Sequence, residues 1–278
     1  MREKHSRRTL GSASIIVCAL LAGAIFRGGE ADAASVPVQA PGLAGAACPA
    51  AVSADAMRLT RVGKKLARLD SIHILAIGSS STEGIGASSS ARSYPARLEA
   101  DLKRRWPRVD ISVMNAGIGG ETVAATVARL ERLVRTGGFD LVIWQLGTND
   151  AVHGDSLASF RELTLRGIAA GRSAGVDLVL LDPQFFPGIR DVPAYERFVS
   201  AVGEIGEDEH VPVFRRYAMM KDWRARGEAV LMATLAPDHF HMNDRGYGCL
   251  AEALTAEIGQ MTESPSIAKA PVALSATR

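Results

Sequence analysis

Residues 74–84 read ILAIGSSSTEG, an apolar run that ends in a glycine followed by three serines. An apolar run of this length predicts a strand that is buried on both faces of a sheet. Serine is common in ordinary turns, so the cluster by itself does not establish any chemistry. The question that it raises is whether Ser79, Ser80 or Ser81 is a nucleophile.

Apolar runs of strand length alternate with longer helical patterns along the chain. The predicted strands are His73–Ile77, Ile111–Asn115, Leu141–Leu146, Leu178–Leu181 and Val211–Phe214. The predicted helices are Tyr94–Trp106, Thr122–Arg135, Leu157–Ala174, Ala194–Gly206 and Asn243–Met261. This repeat predicts an α/β fold, a five-stranded parallel sheet between two layers of helices in a three-layer α/β/α arrangement. Ligands then bind beyond the carboxyl ends of the strands.

The first residues follow a different pattern. Basic side chains precede an uncharged apolar run over Ala13–Phe26, and small residues surround Ala33. This order predicts a secretory signal peptide over residues 1–33, with an uncleaved anchor as the alternative. We therefore expect an exported protein, periplasmic or extracellular, with no stable membrane association after cleavage.

The remaining sequence divides into three parts. Residues 34–70 combine a linker rich in Ala, Pro and Gly with a short predicted helix over Ser53–Leu69, residues 71–262 form the main domain, and residues 263–278 are a flexible tail. Of 32 basic and 30 acidic residues, five and three lie in residues 1–33, which leaves 27 of each. A neutral mature chain does not favour a nucleic acid as partner.

Two cysteines remain after the predicted cleavage, Cys48 and Cys249. An even number of cysteines in an exported chain predicts a disulfide, here between the start of the mature chain and its last helix. Two buried free thiols are the alternative.

A G-x-S-x-G pattern occurs at Gly171–Gly175. The nucleophile elbow of α/β hydrolases needs a strand before this serine and a helix after it. Here the predicted helix precedes Ser173 and the strand follows it, so Ser173 lies at the amino edge of the sheet. We interpret the pattern as the end of a helix, with unusual backbone angles at Gly171 and Gly175.

Four blocks in order resemble those of the SGNH (GDSL) hydrolase family. They are Gly78–Thr82, Asn115–Thr122, Gly147–Asp150 and Asp238–His241, and they occur in the family's order within residues 72–262. Three of the four follow predicted strands. The resemblance implies a flavodoxin-like SGNH hydrolase fold and a secreted, bacterial-type serine esterase.

The resemblance places the family's nucleophile at Ser80. Ser79 stands where the family usually has aspartate, and Ser81 stands where leucine is commoner, so these neighbours remain the alternatives. A serine hydroxyl needs an adjacent base. Asp238-x-x-His241 offers an imidazole together with a carboxylate that can orient it, so His241 is the predicted base and Asp238 its partner.

A metal site is the alternative for this last block, because His239, His241 and Asp238 have side chains that bind zinc. No second cluster of His or Cys completes a ligand set in the sequence, so we expect neither a metal nor a cofactor.

The resemblance also implies an oxyanion hole formed by the N–H groups of Ser80 and Gly120 and by the amide of Asn149. The position of Gly120 after a strand predicts that it opens a helix, where free N–H groups favour negative charge. Ser79, Gln184, Phe185 and His239 are the predicted substrate contacts.

The function predicted from these residues is hydrolysis of carboxylic esters through an acyl-enzyme. Insertions between the blocks are short, which favours a modest pocket and short acyl or O-acetyl esters. The expected partners are a small ester or an acylated saccharide, and thioesters would use the same groups. The alternative is a module on the same fold that binds a glycan or another ligand without catalysis.

Overall fold

The structure is a computed structural model that describes Cys48 and residues 57–262. The predicted signal peptide, the linker apart from Cys48, and the predicted C-terminal tail lie outside the described residues. The predicted helix over Ser53–Leu69 is described from residue 57 and runs as α1 over Thr60–Arg68. It ends at Leu69, whose backbone is left-handed with φ 59°.

Five strands lie in the described part of the chain and pair in parallel, as the sequence predicts. They are β1 (Ile72–Gly78), β2 (Ile111–Gly117), β3 (Leu141–Gln145), β4 (Asp177–Leu181) and β5 (Val213–Phe214). Their order in the sheet is β2-β1-β3-β4-β5. β5 is shorter than predicted because Pro212 has no N–H to donate, although its carbonyl oxygen accepts a hydrogen bond from the N–H of Leu180.

Helices fill the connections between the strands. After α1 they are α2 (Ser80–Glu83), α3 (Tyr94–Arg105), α4 (Val123–Thr136), α5 (Thr148–His153), α6 (Leu157–Ser173), α7 (Val192–Asp208), α8 (Arg216–Ala225), α9 (Glu228–Met232) and α10 (Asp244–Thr262). The five longer helices that the sequence predicts are present within two residues at either end. The apolar pattern of the sequence does not predict α2, α5, α8 and α9.

Each face of the sheet carries its own hydrophobic core. Alternate residues of β1 point to opposite faces, so Ile74 packs with α3 and α10 while Leu75 packs with α4, α6 and α7. Both cores consist of side chains almost without exposed surface. The three-layer α/β/α architecture predicted from the sequence is therefore confirmed.

The strand order locates the site. The chain leaves β1 to one side for β2 and then crosses back to β3 on the other side of β1. At such a switch point the loops after the two strands diverge and leave a crevice at their carboxyl ends. Residues that follow β1 and β3 line this crevice, and they include Ser80 and Asn149.

A disulfide joins Cys48 to Cys249 on α10, with their Cα atoms 5.3 Å apart. This is the pairing that the two cysteines predict. None of the helices in the described ranges is both long and apolar enough to cross a membrane.

Candidate active site

Ser80 is the first residue of α2 and directly follows the strand–turn residues Gly78 and Ser79. The helix is brought close to β2 by Gly117, where a Cβ atom would lie 2.0 Å from the backbone nitrogen of Glu83. A side chain at residue 117 would therefore force α2, and Ser80 with it, away from the sheet. Ser80 itself keeps only 9% of its surface exposed.

His241 and Asp238 lie on the loop between α9 and α10, across the crevice from α2. His241 Nε2 is 2.9 Å from Ser80 Oγ, and His241 Nδ1 is 2.6 Å from Asp238 Oδ2. The other oxygen of Asp238 accepts hydrogen bonds from the backbone N–H groups of Phe240 and His241. The structure therefore brings together the three side chains that the sequence predicts as catalytic.

The hydrogen bonds assign the protons. An ionised carboxylate can only accept, so the contact with Asp238 places the proton of neutral His241 on Nδ1 and leaves the Nε2 lone pair facing Ser80. Partial burial raises the pKa of Asp238, but the hydrogen bonds from the His241 ring and from the two backbone N–H groups outweigh it and hold this pKa below its ordinary value. The carboxylate therefore stays charged, and Ser80 Oγ can pass its proton to the ring.

The three groups that the resemblance assigns to the oxyanion hole, the N–H groups of Ser80 and Gly120 and the amide of Asn149, lie on the turns after β1, β2 and β3. Ser80 is the first helical residue of α2, so its N–H has no acceptor within the helix. The Asn149 side chain donates one N–H to the carbonyl of Glu121 at 2.8 Å, next to Gly120, and keeps a second N–H. A Cβ atom on Gly119 would lie 3.9 Å from that of Ser80, so the loop that carries Gly120 lies against Ser80.

One expectation about this loop is wrong. Gly120 does not open a helix, because α4 begins only at Val123, with Thr122 at its N-cap. Gly120 instead lies in the turn between β2 and α4 with φ 78°, a left-handed conformation that favours glycine. Its N–H makes no hydrogen bond to another described residue, and its orientation comes from the turn rather than from a helix end.

Charged side chains hold this turn from outside. Glu83 Oε2 accepts a hydrogen bond of 2.7 Å from the N–H of Gly119. Arg129 on α4 forms an ion pair with Glu121 and also donates to the carbonyl of Ala116 at 2.9 Å. The turn is therefore fixed at both ends, which is what a preorganised donor at Gly120 requires.

Two of the predicted substrate contacts, Ser79 and Gln184, are buried inside the protein. Ser79 donates hydrogen bonds from its backbone N–H and its Oγ to Gln145 Oε1, at 2.8 and 3.1 Å. Gln184 has no exposed surface, and its amide lies between Ser81 and the carbonyl of Phe240. Both side chains are engaged in hydrogen bonds within the protein, and their contact with substrate stays a prediction.

The other two predicted contacts have different positions. His239 is exposed on the loop between Asp238 and Phe240, with φ 54°, and its contact with substrate stays a prediction. Phe185 packs edge-to-face on Tyr217 with ring centroids 5.8 Å apart, and the neighbouring Phe186 lines a cavity instead.

This cavity, of about 480 Å³, lies beside the imidazole. The Phe240 ring is in edge-to-face contact with both His241 and Phe186, each with centroids 4.7 Å apart. Most of the lining side chains are apolar: Ala151, Val152, Phe186, Ile189, Ala194, Tyr195 and Phe240. Arg190 and Asp191 add the charged part of the lining. A lining of this kind suits an apolar group.

The remaining sequence motifs lie away from this site. Ser173 ends α6 at the amino edge of the sheet, as predicted, and lines a separate surface depression. Gly175 has φ 67°, whereas Gly171 is an ordinary helical residue packed against Leu178, so the unusual angle predicted for Gly171 is wrong. Within residues 57–262 and Cys48, no three His, Cys, Asp or Glu side chains are grouped as metal ligands.

A model of a known protein family matches most of the chain. The model of the non-GDSL lipase-like family matches residues 45–264. That description agrees with the first block, which reads Gly78-Ser79-Ser80-Ser81 and lacks both the aspartate and the leucine of the commoner pattern.

Three of the proteins with related sequences or structures are named as esterases. Esterase TesA of Pseudomonas aeruginosa is 30% identical over 143 residues, which cover 51% of this chain and 70% of TesA. A two-domain esterase active on acetylated mannans has a TM-score of 0.61 at 24% identity, over 74% of this chain. An acetyl xylan esterase of Geobacillus stearothermophilus, Axe2, has a TM-score of 0.56 at 22% identity, over 70% of this chain and 99% of Axe2.

The extent of these matches differs. This chain covers 55% of the length of the two-domain esterase, so about half of that protein has a counterpart here. At these identities the solved structures establish the fold, and the family match together with TesA establishes the family.

Proposed function

The chain belongs to the non-GDSL lipase-like family, and from this premise we propose that it hydrolyses carboxylic esters with Ser80 as nucleophile, His241 as base and Asp238 as its orienting partner. The observation that carries the proposal is the continuous series of hydrogen bonds, 2.9 Å from Ser80 Oγ to His241 Nε2 and 2.6 Å from His241 Nδ1 to Asp238 Oδ2. Hydroxyl, imidazole and carboxylate in this order are a general arrangement for acyl transfer.

In the first half of the reaction, Ser80 Oγ attacks the ester carbonyl carbon while His241 Nε2 accepts the hydroxyl proton. The carbonyl π electrons move to the oxygen, and the resulting oxyanion lies among the N–H groups of Ser80, Gly120 and Asn149. Asp238 stabilises the imidazolium and keeps its own negative charge, consistent with its lowered pKa. The imidazolium then gives its proton to the leaving alcohol as the tetrahedral adduct collapses to the acyl-enzyme.

In the second half, a water molecule replaces the alcohol. His241 Nε2 takes a proton from this water as its oxygen attacks the acyl carbon, and the same donors stabilise the second oxyanion. Collapse returns the proton to Ser80 Oγ and releases the carboxylic acid. The cycle uses no cofactor or metal, since every proton moves between Ser80, His241, water and substrate.

The substrate class that we propose is a short acyl ester, with O-acetyl groups on saccharides as the first candidates. Two structural relatives act on acetylated mannans and on acetyl xylan, which supports an acylated saccharide. The apolar cavity beside Phe240 could hold the acyl group or an apolar leaving group, and thioesters would meet the same donors. A binding module without catalysis is not favoured, because the relatives are named as esterases.

We also propose that the protein is exported and that residues 1–33 are removed as a signal peptide. The support is the basic, apolar and small-residue order of that segment and the disulfide of Cys48, since disulfides persist in oxidising compartments. N-terminal sequencing of the protein from the periplasm or medium tests this, with cleavage near Ala33 expected. An intact N-terminus in the membrane fraction would contradict it.

The activity is tested with p-nitrophenyl acetate on the wild type, Ser80→Ala and Ser173→Ala. We expect Ser80→Ala to fall to the background rate and Ser173→Ala to equal the wild type, because both lose one serine hydroxyl but only one lies against an imidazole. EDTA should leave the rate unchanged. Equal background rates for all three proteins would contradict catalysis, and retained activity in Ser80→Ala would contradict the nucleophile.

The substrate class is tested by filling the cavity. Ala194 lines it, so Ala194→Phe should lower kcat/KM for p-nitrophenyl hexanoate and leave that for the acetate within about twofold. A panel of acetylated mannan and xylan oligosaccharides, assayed for released acetate, then tests the saccharide. No acetate release from any of them would contradict the saccharide part of the proposal.

A further inference from the structure

Gln184 lies just after β4 and is hydrogen-bonded to the segments that carry Ser80, His241 and Asn149. Its Oε1 accepts from Ser81 Oγ at 2.8 Å, next to the nucleophile. Its Nε2 donates to the carbonyl of Phe240 at 2.8 Å, next to the imidazole. Its backbone N–H donates to Thr148 Oγ1 at 3.3 Å, next to Asn149.

The orientation of this amide is determined by its partners. The carbonyl of Phe240 can only accept, so it must face the NH₂ end of Gln184, and the hydroxyl of Ser81 then donates to the oxygen end. The backbone carbonyl of Gln184 accepts from Tyr195 Oη at 2.6 Å. Gln184 has no exposed surface, and its contacts with Ser81, Thr148 and Tyr195 are buried, whereas its contact with the Phe240 carbonyl is partly buried.

We propose that Gln184 is a positioning residue that holds the nucleophile helix α2 and the loop of His241 at the separation needed for proton transfer. This inference rests on the proposed function, in which Ser80 and His241 react together. The His241 loop has its own local hydrogen bonds, among them Ala236 N–H to the His241 carbonyl at 2.8 Å, which fix its shape. They do not fix its distance from α2, whereas the Gln184 amide spans the two.

The same geometry gives Ser81 a role. Its buried hydroxyl stands where the commoner family pattern has leucine. This hydroxyl donates its hydrogen bond to Gln184, so the two residues form a buried polar pair in place of an apolar contact. An apolar residue at 81 could pack there but could not connect α2 to Gln184. The pair therefore makes the nucleophile's position depend on the residue after β4.

The decisive variant is Gln184→Glu. An ionised glutamate has no proton for the Phe240 carbonyl, whereas a protonated glutamic acid accepts from Ser81 and donates to Phe240 as glutamine does. The ratio of kcat for Gln184→Glu to kcat for the wild type should therefore rise as the pH falls. If Gln184 positions the two segments, the kcat of Gln184→Glu recovers relative to wild type at low pH. If Gln184 only stabilises the fold, this recovery is not expected.

Other titratable groups surround residue 184, and comparing kcat of Gln184→Glu with kcat of the wild type at each pH controls for them. Tyr195 contacts its carbonyl, Arg216 Nη2 lies 3.4 Å from Thr148 Oγ1, and Asp182 precedes it by two residues. These groups are present in wild type and variant alike, so their own effects on the rate cancel in the ratio of the two kcat values. The positive charge of Arg216 favours the ionised glutamate and moves the rescue to lower pH without removing it.

Gln184→Met and Ser81→Ala complete the test. Gln184→Met should lower kcat about tenfold to hundredfold with KM within about twofold, because a small misplacement of reacting groups is costly. Ser81→Ala removes one contact and should lower kcat less, and the double variant should be no slower than Gln184→Met alone. Thr164→Val, which removes a buried hydrogen bond to the Phe160 carbonyl in α6, controls for lost stability and should leave kcat unchanged.

Three results would overturn the inference. A kcat ratio for Gln184→Glu that does not change with pH would exclude positioning by the amide. A rise in KM with unchanged kcat in Gln184→Met would make Gln184 a substrate contact. Additive effects of Ser81→Ala and Gln184→Met on kcat would show that the two residues act independently. Failure of the proposed function is recognised independently, by a wild type without esterase activity or a Ser80→Ala variant that retains it.

Discussion

Asp150 Oδ1 accepts a hydrogen bond of 2.9 Å from the backbone N–H of Val123, the first residue of α4. The segment after β3 therefore caps α4, the helix that follows the turn containing Gly120. Asp150 is buried, and this burial raises the pKa of its carboxyl above the ordinary value despite the hydrogen bond. Together with the bond from Asn149 to the Glu121 carbonyl, the contact ties two of the proposed oxyanion donors into one rigid unit.

Asn149→Ala should therefore lower kcat about a hundredfold to a thousandfold, since a preorganised donor at the developing oxyanion is lost. KM should change little, because the donor acts mainly in the transition state. Steady-state kinetics with p-nitrophenyl acetate measure both parameters. A kcat within about threefold of wild type would show that Asn149 does not serve the oxyanion.

Asp238→Asn should lower kcat about a hundredfold to ten-thousandfold, because the asparagine NH₂ facing Nδ1 favours the wrong imidazole tautomer. The matched control is Asp244→Asn, three residues beyond His241, whose carboxylate accepts from Ser88 instead. We expect the control to keep the wild-type rate. Equal losses in both variants would mean that general damage to the loop, rather than the Asp238–His241 contact, explains the effect.

The arrangement of the catalytic segments could be predicted from the sequence because each follows a strand. Parallel strands place their carboxyl ends at one edge, so Ser80 after β1 and Asn149 after β3 had to meet there. The reversed order of helix and strand around Ser173 excluded that serine by the same reasoning. Ser80 and His241 are 161 positions apart, and their proximity was predicted from the family resemblance rather than from the strand pattern.

The parts that could not be predicted depend on tertiary packing. Gln184 and Ser79 look like surface residues at a strand end, and nothing local indicates that each has a buried polar partner. Helices α8 and α9 follow a strand of only two residues, and the sequence has no clear signal for where either helix begins. Arg216 in α8 is fully buried, although arginine is usually found at the surface. The turn of Gly120 depends on Glu83, a partner 36 positions away.

The disulfide gives a prediction about stability. Cys48→Ser should lower the free energy of unfolding by about 2–5 kcal/mol, because the bond to Cys249 closes a long loop in the unfolded chain. Activity at low temperature should persist, since both cysteines lie outside the site. Urea unfolding of wild type, reduced wild type and variant measures this. Identical midpoints for oxidised and reduced wild type would contradict it.

Asp182 gives a prediction about pH. Burial raises the pKa of this carboxyl to about 7, against the lowering effects of the Tyr217 N–H and the Arg216 charge. A native pKa above that of the unfolded chain means that the folded protein binds more protons between about pH 4 and pH 7. The contribution of Asp182 to stability is therefore complete below about pH 4 and is lost as the pH rises through about 7.

Asp182→Asn removes this titration. We expect the difference in unfolding free energy between variant and wild type to move in favour of the variant, by on the order of 2–4 kcal/mol, from about pH 4 to pH 8. The asparagine oxygen can still accept from the Tyr217 N–H, so the start of α8 is kept. A difference that stays constant over this range would contradict a raised pKa at Asp182.

The identity of the nucleophile is tested most directly by covalent labelling. A fluorophosphonate reacts with an activated serine hydroxyl, and peptide mass spectrometry then locates the adduct. The hydrogen bond from Ser80 Oγ to His241 predicts one adduct, on Ser80, at a rate that falls to background in His241→Ala. An adduct on Ser79, Ser81 or Ser173 would contradict the account. Ester hydrolysis by a protein that the fluorophosphonate does not label would contradict it as well.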